Sequence, residues 1–256
     1  MSKLKALFVA ALLCACAASA YAQPTIAQLL EKIQSNIDLT TDVRARVTFT
    51  QAKVEQGTKI IDSIYYRRDS DDSFLIVMTA PESEKGNGYL RAGDNFWMYR
   101  RNTRTFQHIN RDENIGGTDA RGGDFEKRKL PELYEGVKDL SGKETVTETL
   151  LGKIPVYQFD VKAKVNDVDY PQKRYWISQD SYLPLKEQDF SSSHVLMLTA
   201  YFRKYALVNG KYVAIEHLYV DEFEKGNKTI VEISDIQTDR LSDDIFTKAY
   251  LENLSK

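Results

Sequence analysis

The sequence predicts a mostly β protein in which one large antiparallel sheet surrounds a small amount of helix. From Val43 to Ile236 apolar and polar residues alternate with a period of two, as in Val47-Thr48-Phe49-Thr50-Gln51, which is typical of strands. Asn209-Gly210 is one of several short turn sequences between these segments, and connections of that length join antiparallel neighbours. Helical spacing is confined to the two ends and a short stretch near Leu130.

The number of strands indicates an interior with space to spare. A closed sheet of about eight strands is just filled by its own side chains, so ten or more strands leave a volume that needs a plug. Two stacked sheets would show the same alternation and remain an alternative. The strand pattern covers segments 43–54, 58–67, 73–79, 87–92, 95–100, 104–108, 145–150, 154–163, 170–178, 183–190, 194–206, 212–223 and 228–237.

Two helices flank the strands. Thr25-Ile26-Ala27-Gln28 has the pattern of a capping box and is followed by Leu29, Leu30, Ile33 and Ile37 at helical spacing. Ser242 is expected to cap a last helix that contains Ile245, Phe246, Tyr250 and Leu254. Between the strands, the Gly-rich stretch from Asn110 to Glu135 is the longest irregular connection, with a short helix expected near Leu130 to Tyr134. Its segment Gly117-Thr118-Asp119-Ala120-Arg121-Gly122-Gly123 is expected to be a flexible loop.

The N-terminus has the pattern of a secretory signal over residues 1–22. Lys3 and Lys5 precede an apolar stretch, and Ala20-Tyr21-Ala22 fits a cleavage site before Gln23. Residues 23–256 are then one periplasmic domain, soluble after cleavage and without a transmembrane segment. The alternative is a lipoprotein signal, in which Cys16 becomes an acylated first residue.

Charge and motifs argue against several function classes. The net charge of −2 provides no field that would attract nucleic acid. His108, His194 and His217 lack the spacing of metal ligands, so no metal site is expected. The sequence has no G-x-S-x-G elbow, and Ser191-Ser192-Ser193-His194 is interpreted as a hairpin turn. We therefore expect neither an enzyme nor a cofactor.

Ordered pieces of the chain resemble the periplasmic lipoprotein carrier family LolA, and more closely its longer relatives, the outer-membrane lipoprotein-sorting proteins. The first pieces are Phe49-Thr50-Gln51, Tyr66-Arg67-Arg68 and Thr79-Ala80-Pro81-Glu82. The aromatic segment Gly93-Asp94-Asn95-Phe96-Trp97-Met98-Tyr99 and the late segment Asp244-Ile245-Phe246-Thr247 follow in the family's order. No single piece is specific, and the resemblance depends on their order over most of residues 23–256.

The resemblance implies an incomplete antiparallel β-barrel of about eleven strands with a helical lid over an apolar cavity. It also implies an acylated lipoprotein or phospholipid as cargo, an inner-membrane exporter and an outer-membrane acceptor as partners, and no cofactor. Arg68 matches the family arginine that latches the lid, with Arg67 one step away. Asp69 stands where the family has proline, so Arg68 is alternatively part of a surface ion pair.

Large apolar strand residues are the candidates for the cavity wall. Their flexible methionines suit a wall that repacks around different chains. A filled core without a cavity is the alternative for these residues, and a lipid-anchored receptor or sensory module is the alternative function. The predicted wall consists of Phe49, Ile64, Tyr66, Phe74, Ile76, Met78, Trp97, Tyr99, Tyr157, Phe159, Trp176, Met197 and Tyr201.

Overall fold

The first helix forms where the capping box predicts it. The computed structural model describes residues 23–254, so the predicted signal segment and both cysteines lie outside the described residues. Helix α1 (Ile26–Ile37) begins with the N–H of Gln28 donating to Oγ1 of Thr25 at 3.2 Å. In return the N–H of Thr25 donates to the side chain of Gln28 at 3.0 Å. These reciprocal bonds satisfy N–H groups that have no partner within the helix.

Residues 23–254 form one sheet of 14 antiparallel strands. The spatial order is β6-β5-β4-β3-β2-β1-β14-β13-β12-β11-β10-β9-β7, with β8 also paired to β9, and the sheet does not close. The predicted incomplete barrel is confirmed, and the two-sheet alternative is wrong. The strands are β1 (Val43–Lys53), β2 (Gly57–Arg67), β3 (Phe74–Ala80), β4 (Gly88–Ala92), β5 (Asn95–Arg100), β6 (Thr105–His108), β7 (Tyr134–Gly136), β8 (Val146–Leu151), β9 (Ile154–Ala163), β10 (Gln172–Ser178), β11 (Pro184–Phe190), β12 (Leu196–Val208), β13 (Lys211–Asp221) and β14 (Lys228–Gln237).

Local turn chemistry sets the hairpins. Asn209 and Gly210 both have positive φ, 49° and 77°, as the turn between β12 and β13 requires. Ser191 to Val195 also close a turn, in which the N–H of Ser191 donates to the carbonyl of Val195 at 2.9 Å. The predictions of a hairpin turn at both places are confirmed.

Strand β7 is the strand that periodicity misses. It follows the short helix α2 (Leu130–Leu133) and has only three residues, which is too few to show an alternating pattern. It pairs with the last residues of β9, while β8 pairs with the first ones. This shared edge explains in part why the sheet has more than the expected eleven strands.

One half of the concave face is filled by the Gly-rich connection. Residues 109–125, which we call the loop plug, place Ile109, Ile115 and Ala120 in the core formed by the inner face of β1 to β5 together with β12 to β14. Phe125 at its end lies 6.3 Å from Phe49 between ring centroids. The expected flexible loop is instead a packed part of the core.

Helix α1 covers the other half of the concave face. Its buried residues pack against Phe159 and Tyr175 on the inner face of β9 and β10. Within residues 23–254, no helix has the length and apolar character needed to cross a bilayer. The residues of α1 that form this contact are Ile26, Leu29, Leu30 and Ile33.

The C-terminal segment covers the outer face of the sheet, where Phe246 and Leu251 pack against Leu75 and Val77. The single helix predicted after Ser242 is wrong in detail. A 3-10 turn (Asp243–Phe246) is followed by a separate helix, α3 (Lys248–Leu254). The extended residue Thr247 separates them because its Oγ1 accepts a hydrogen bond from the N–H of Tyr250 at 3.2 Å. The hydroxyl of Ser242 donates to the carboxylate of Asp244 rather than capping the turn.

Candidate ligand-binding site

An apolar cavity of about 360 Å³ lies between α1 and the sheet. Its volume falls in the range of small-molecule sites, about 300 to 1,000 Å³. The cavity lies between the half filled by the loop plug and the half covered by α1, and it contradicts the alternative of a completely filled core. Its apolar and aromatic wall is formed by Ile33, Ile37, Leu39, Val43, Ala45, Tyr65, Leu130, Tyr175, Pro184, Phe202, Tyr205, Tyr212, Val213, Ala214, Ile233 and Ile236.

Arg67 lies in the wall of this cavity and holds the connection that follows α1. One terminal nitrogen, Nη2, donates to the carbonyls of Leu39 at 2.8 Å and Thr41 at 3.0 Å. Its Nε is buried and has no hydrogen-bond partner among the described residues. A charged donor with spare capacity therefore lies beside the apolar space.

A second cavity of about 250 Å³ adjoins the first, and we call it the polar chamber. Tyr175, Glu187 and Phe202 are among the residues that line both. Their side chains form part of the wall of each space, so an apolar cavity and a charged cavity lie side by side. A ligand that has an apolar chain and a polar group matches this division.

Lys173 is the buried cation of the polar chamber. Its Nζ contacts Glu187 and lies 2.9 Å from Oδ1 of Asp189. Burial lowers the pKa of Lys173, but Asp189 and Glu187 together raise it well above its usual value. Burial raises the pKa of Asp189 well above its usual value, whereas Lys173 holds the pKa of Glu187 low against the effect of burial. The three groups thus form one buried cluster in which two carboxyl groups share a single ammonium.

Asp124 is the second perturbed acid of the chamber. It lines the chamber with part of its surface accessible, and the loss of hydration around its carboxyl group raises its pKa to about 6. The N–H of Arg121, which donates to Asp124 at 2.8 Å, opposes this rise, and the nearby carboxylate of Asp169 adds to it. A carboxylate held in this way has lost hydration that a cationic partner could replace.

Arg68, the predicted latch, lies on the other side of the sheet from the cavity. Its Nε and Nη2 donate to Asp71 at 2.9 and 2.7 Å, and its Nη1 donates to Asp243 at 2.6 Å. The guanidinium also lies 4.8 Å from the ring centroid of Phe246. The hydrogen bond from Arg68 lowers the pKa of Asp71 to about 2. Arg68 thus holds the C-terminal segment, and its neighbour Arg67 holds the connection after α1.

The thirteen predicted wall residues do not line the apolar cavity. Phe49, Phe74, Ile76 and Met78 pack against the loop plug, and Met78 also borders a separate polar pocket. The remaining nine fall into three groups. Beneath the C-terminal segment lie Ile64, Tyr66, Trp97 and Tyr99, and the cluster around α1 contains Phe159 and Tyr157. The third group lies on β10 and β12 away from both cavities and consists of Trp176, Tyr201 and Met197.

Three neighbours of predicted residues line the cavity instead. They are Tyr65, Tyr175 and Phe202, each one position from a residue in the predicted set. Successive strand residues point to opposite faces, so a shift of one position transfers a side chain from one face to the other. No cluster of potential metal ligands occurs in the described part of the chain.

Comparisons with known proteins agree with this fold. A family model described as "Uncharacterized protein" matches residues 70–253, and the comparison with curated proteins found no match. A LolA superfamily protein from Nitrosomonas europaea is 18% identical, with 89% of this chain and 100% of that chain covered and a TM-score of 0.73. A DUF1329 family protein from Desulfovibrio piger is 17% identical, with coverage of 88% and 97% and a TM-score of 0.76.

A third similar solved structure is named for lipoprotein sorting. It is a domain described as an outer membrane lipoprotein-sorting protein domain from Vibrio parahaemolyticus, 15% identical, with coverage of 88% and 97% and a TM-score of 0.73. At this level of identity the likeness concerns the fold. The chain belongs to the family whose model spans residues 70–253, and its fold is that of the LolA-like superfamily.

Proposed function

We propose that this protein is a periplasmic carrier that shelters an acyl chain of a lipoprotein or phospholipid, and not an enzyme. The observation that carries the proposal is the apolar cavity between α1 and the sheet, with the charged chamber beside it. The sorting function in the description of the Vibrio parahaemolyticus domain supports the same class of cargo. The predicted secretory signal supports export, and 23–256 is then the working domain.

Helix α1 and the connection that follows it are the proposed lid. Arg67 holds this connection through two hydrogen bonds. At the end of the helix, Asn36 donates to the carbonyl of Ser181 at 2.7 Å, and Lys211 donates to the carbonyl of Ser35 at 2.6 Å. In the proposed opening these polar contacts break, and the end of α1 moves away from the cavity.

The energies of opening and of cargo binding are of the same order. Five hydrogen bonds hold the end of the lid, because the N–H of Leu130 also donates to the side chain of Gln34 at 2.9 Å, and at about 1 kcal/mol each they contribute about 5 kcal/mol. Burying a methylene group gains about 0.8 kcal/mol, so about six methylenes offset the loss of these hydrogen bonds. A longer chain therefore opens the lid and still binds, while lid closure favours release.

The proposed partners are an inner-membrane exporter that loads the carrier and an outer-membrane acceptor that receives the cargo. Lid contacts at Arg67 are their proposed point of action, because a partner that binds the connection after α1 would weaken them. The latch role predicted for Arg68 remains a separate proposal, which concerns the C-terminal segment. Intact-mass measurement distinguishes a start at Gln23 from an acylated Cys16.

Lipid extraction from the purified protein tests the proposal. Mass spectrometry is expected to find acyl species, and a fluorescent fatty acid is expected to bind the delipidated protein. Ala214→Phe places a ring in the cavity, and excluding about two methylenes should weaken binding about tenfold. Ile215→Phe is the matched control, because the next residue on β13 lines neither cavity. Absence of both acyl species and fatty-acid binding would refute the carrier proposal.

A further inference from the structure

More acidic than basic side chains line the polar chamber. Glu126 pairs with Arg91 and Arg111, and Arg128 pairs with Asp167. After these pairs are set aside, Lys173 faces the two acids Glu187 and Asp189. The chamber thus has a surplus of acidic groups before its unpaired residues are considered.

Three carboxylates and one guanidinium that line the chamber have no ion-pair partner among the described residues. Asp119 accepts a hydrogen bond from the hydroxyl of Thr229 at 2.6 Å, Asp124 accepts only the N–H of Arg121, and Asp169 has neither a donor nor a cation within bonding distance. An ideal Cβ on Gly123 would lie 2.6 Å from Oδ2 of Asp169 and 3.1 Å from Nη2 of Arg111, so this oxygen lies against the backbone beside Asp124. The guanidinium of Arg121, the unpaired base, stacks 4.9 Å from the ring centroid of Tyr170. Among the unpaired groups the acids outnumber the base.

Asp189 supplies an independent sign of an unfilled position. The residue is 3% exposed and lines the chamber. Its Oδ1 lies within ion-pair distance of Lys173 but outside hydrogen-bond geometry, so no described donor satisfies it. The ammonium of Lys173 neutralises this oxygen without supplying a well-directed hydrogen bond. A ligand with N–H donors would supply one.

The walls of the chamber suit a cation as well. Tyr134, Tyr170, Tyr175 and Tyr219 all line it, and tyrosine rings attract cations through their faces. Lys173 already lies 5.7 and 5.8 Å from the centroids of Tyr134 and Tyr170. The rings and carboxylates together surround a space where a positive group is favoured over a negative one.

From this arrangement we infer that the polar chamber binds the ammonium group of an amphiphile whose chain occupies the adjoining apolar cavity. Asp124 and Asp169 receive the ammonium, and Tyr175 and Phe202 lie where head and chain meet. The inference rests on the proposed carrier function and names its ligand class, which is a lipid with an amino head group. The guanidinium of Arg121 is available to pair with an anionic group next to the ammonium, but the acidic side chains of the chamber outnumber the basic ones.

Three probes with the same chain and different heads test the inference. Calorimetric titration of the full-length mature protein with decylamine, decan-1-ol and decanoic acid compares an ammonium, a neutral hydroxyl and a carboxylate. We expect decylamine to bind at least about tenfold more tightly than decan-1-ol, and decanoic acid to bind most weakly.

The double variant Asp124→Asn/Asp169→Asn separates recognition of the head from that of the chain. It is expected to bind decan-1-ol as the wild type does and to lose the preference for decylamine. The control Asp160→Asn/Asp235→Asn removes two carboxylates that pair with Arg174 and Arg46 outside the chamber, and it should keep the preference.

Each other outcome has a defined meaning. Equal binding of the three probes, tighter binding of decanoic acid, or an equal loss for all probes in the double variant overturns the ammonium inference and leaves the carrier proposal in place. If none of the probes binds the wild type, both fail.

Discussion

The two halves of the concave sheet solve the problem of a large interior in different ways. Around Phe49 and Phe74 the loop plug fills the space with side chains, and these two phenylalanines are fully buried. Beneath α1 the sheet is covered rather than filled, and the cavity remains between the helix and strands β1, β2 and β10 to β14. A sheet of 14 strands is too wide for one helix, so an irregular segment completes one half and leaves the other open.

This difference separates stability from binding. In the filled half every side-chain contact contributes to stability, and changes in side-chain volume are poorly tolerated because protein interiors are close-packed. In the open half, the side chains of the cavity wall have no packing partners on the side that faces the cavity. They therefore lose part of the dispersion energy that a filled core provides. The open half also contains the perturbed acids Asp124 and Asp189, which a protein selected only for stability would not keep.

Removing a ring from the filled half should cause the largest effect. Phe74 is fully buried and lies 5.4 Å from Phe96 and 6.3 Å from Phe125 between ring centroids. Phe74→Ala is expected to lower the free energy of unfolding by about 3 to 5 kcal/mol. The resulting fall in Tm of about 10 °C can be measured by calorimetry. Binding of a fluorescent fatty acid by the folded variant should not change.

Phe202→Ala is the matched variant in the open half. Phe202 lines both cavities and contacts His217 edge to face at 5.3 Å. Because part of its surface already faces empty space, a loss of only about 1 to 2 kcal/mol is expected. The affinity for the fatty acid should change at the same time. Equal losses of stability at both positions would contradict the distinction between a filled and an open half.

Local features of the fold could be predicted from the sequence. The capping box at Thr25 and the turn at Asn209-Gly210 each depend on a few adjacent residues, and both form as predicted. The helix after Ser242 is predicted too simply, because the choice between Ser242 and Thr247 as the cap depends on packing against Leu75 and Val77 across the sheet. Sequence rules for caps and turns are therefore reliable where adjacent residues alone determine the local conformation.

The face of each strand could not be predicted in the same way. Ile64, Tyr65 and Tyr66 are consecutive large apolar residues, so the sequence does not indicate which of them points to which face of the sheet. In the structure Tyr65 lines the cavity and Tyr66 packs beneath the C-terminal segment. Both faces of this half are covered, which removes the contrast between apolar and polar positions that would assign them.

The acids of the chamber had a signal in the sequence that was missed. Lys173 alternates with Tyr175 and Ile177, so a charge falls on an inward position of β10. The turn near residues 179–183 sets Lys173 opposite Asp189 and Tyr175 opposite Glu187. Charged residues in phase with buried ones on two paired strands predict an interior polar cluster. Asp124 had no such signal, because its position depends on the path of the loop plug.

Replacing the two neighbouring arginines should distinguish the lid from the C-terminal segment. Arg67→Met removes two charge-assisted hydrogen bonds to the connection after α1, which is expected to speed fatty-acid release about tenfold, as measured by stopped-flow fluorescence. Arg68→Met is the control, and it should increase hydrogen exchange in residues 243–254 without changing release. Faster release in Arg68→Met alone would instead assign the latch to Arg68, as the sequence resemblance implies.

The smallest effect concerns the acid that the open half keeps at a cost in stability. The pKa of Asp124 is about 6 in the folded state, compared with 3.8 for an unperturbed aspartate side chain. The folded state therefore holds an extra proton between about pH 4 and 6, so stability falls as pH rises through this window and stays reduced above it. Asp124→Asn removes this penalty and should raise Tm by about 2 to 4 °C at about pH 7.5 but hardly at about pH 4.

The size of that effect follows from where the Asp124 carboxylate lies. A shift of about two pKa units corresponds to at most about 3 kcal/mol, and exposure to the chamber reduces the expected value to about 1 kcal/mol. Asp235→Asn is the control, because Asp235 is 64% exposed and pairs with Arg46 at the surface. Calorimetric scans at the two pH values provide the measurement. An equal change in Tm at both pH values would show that ionisation of Asp124 does not destabilise the folded state. The open half would then not lower the stability of the protein through this carboxylate.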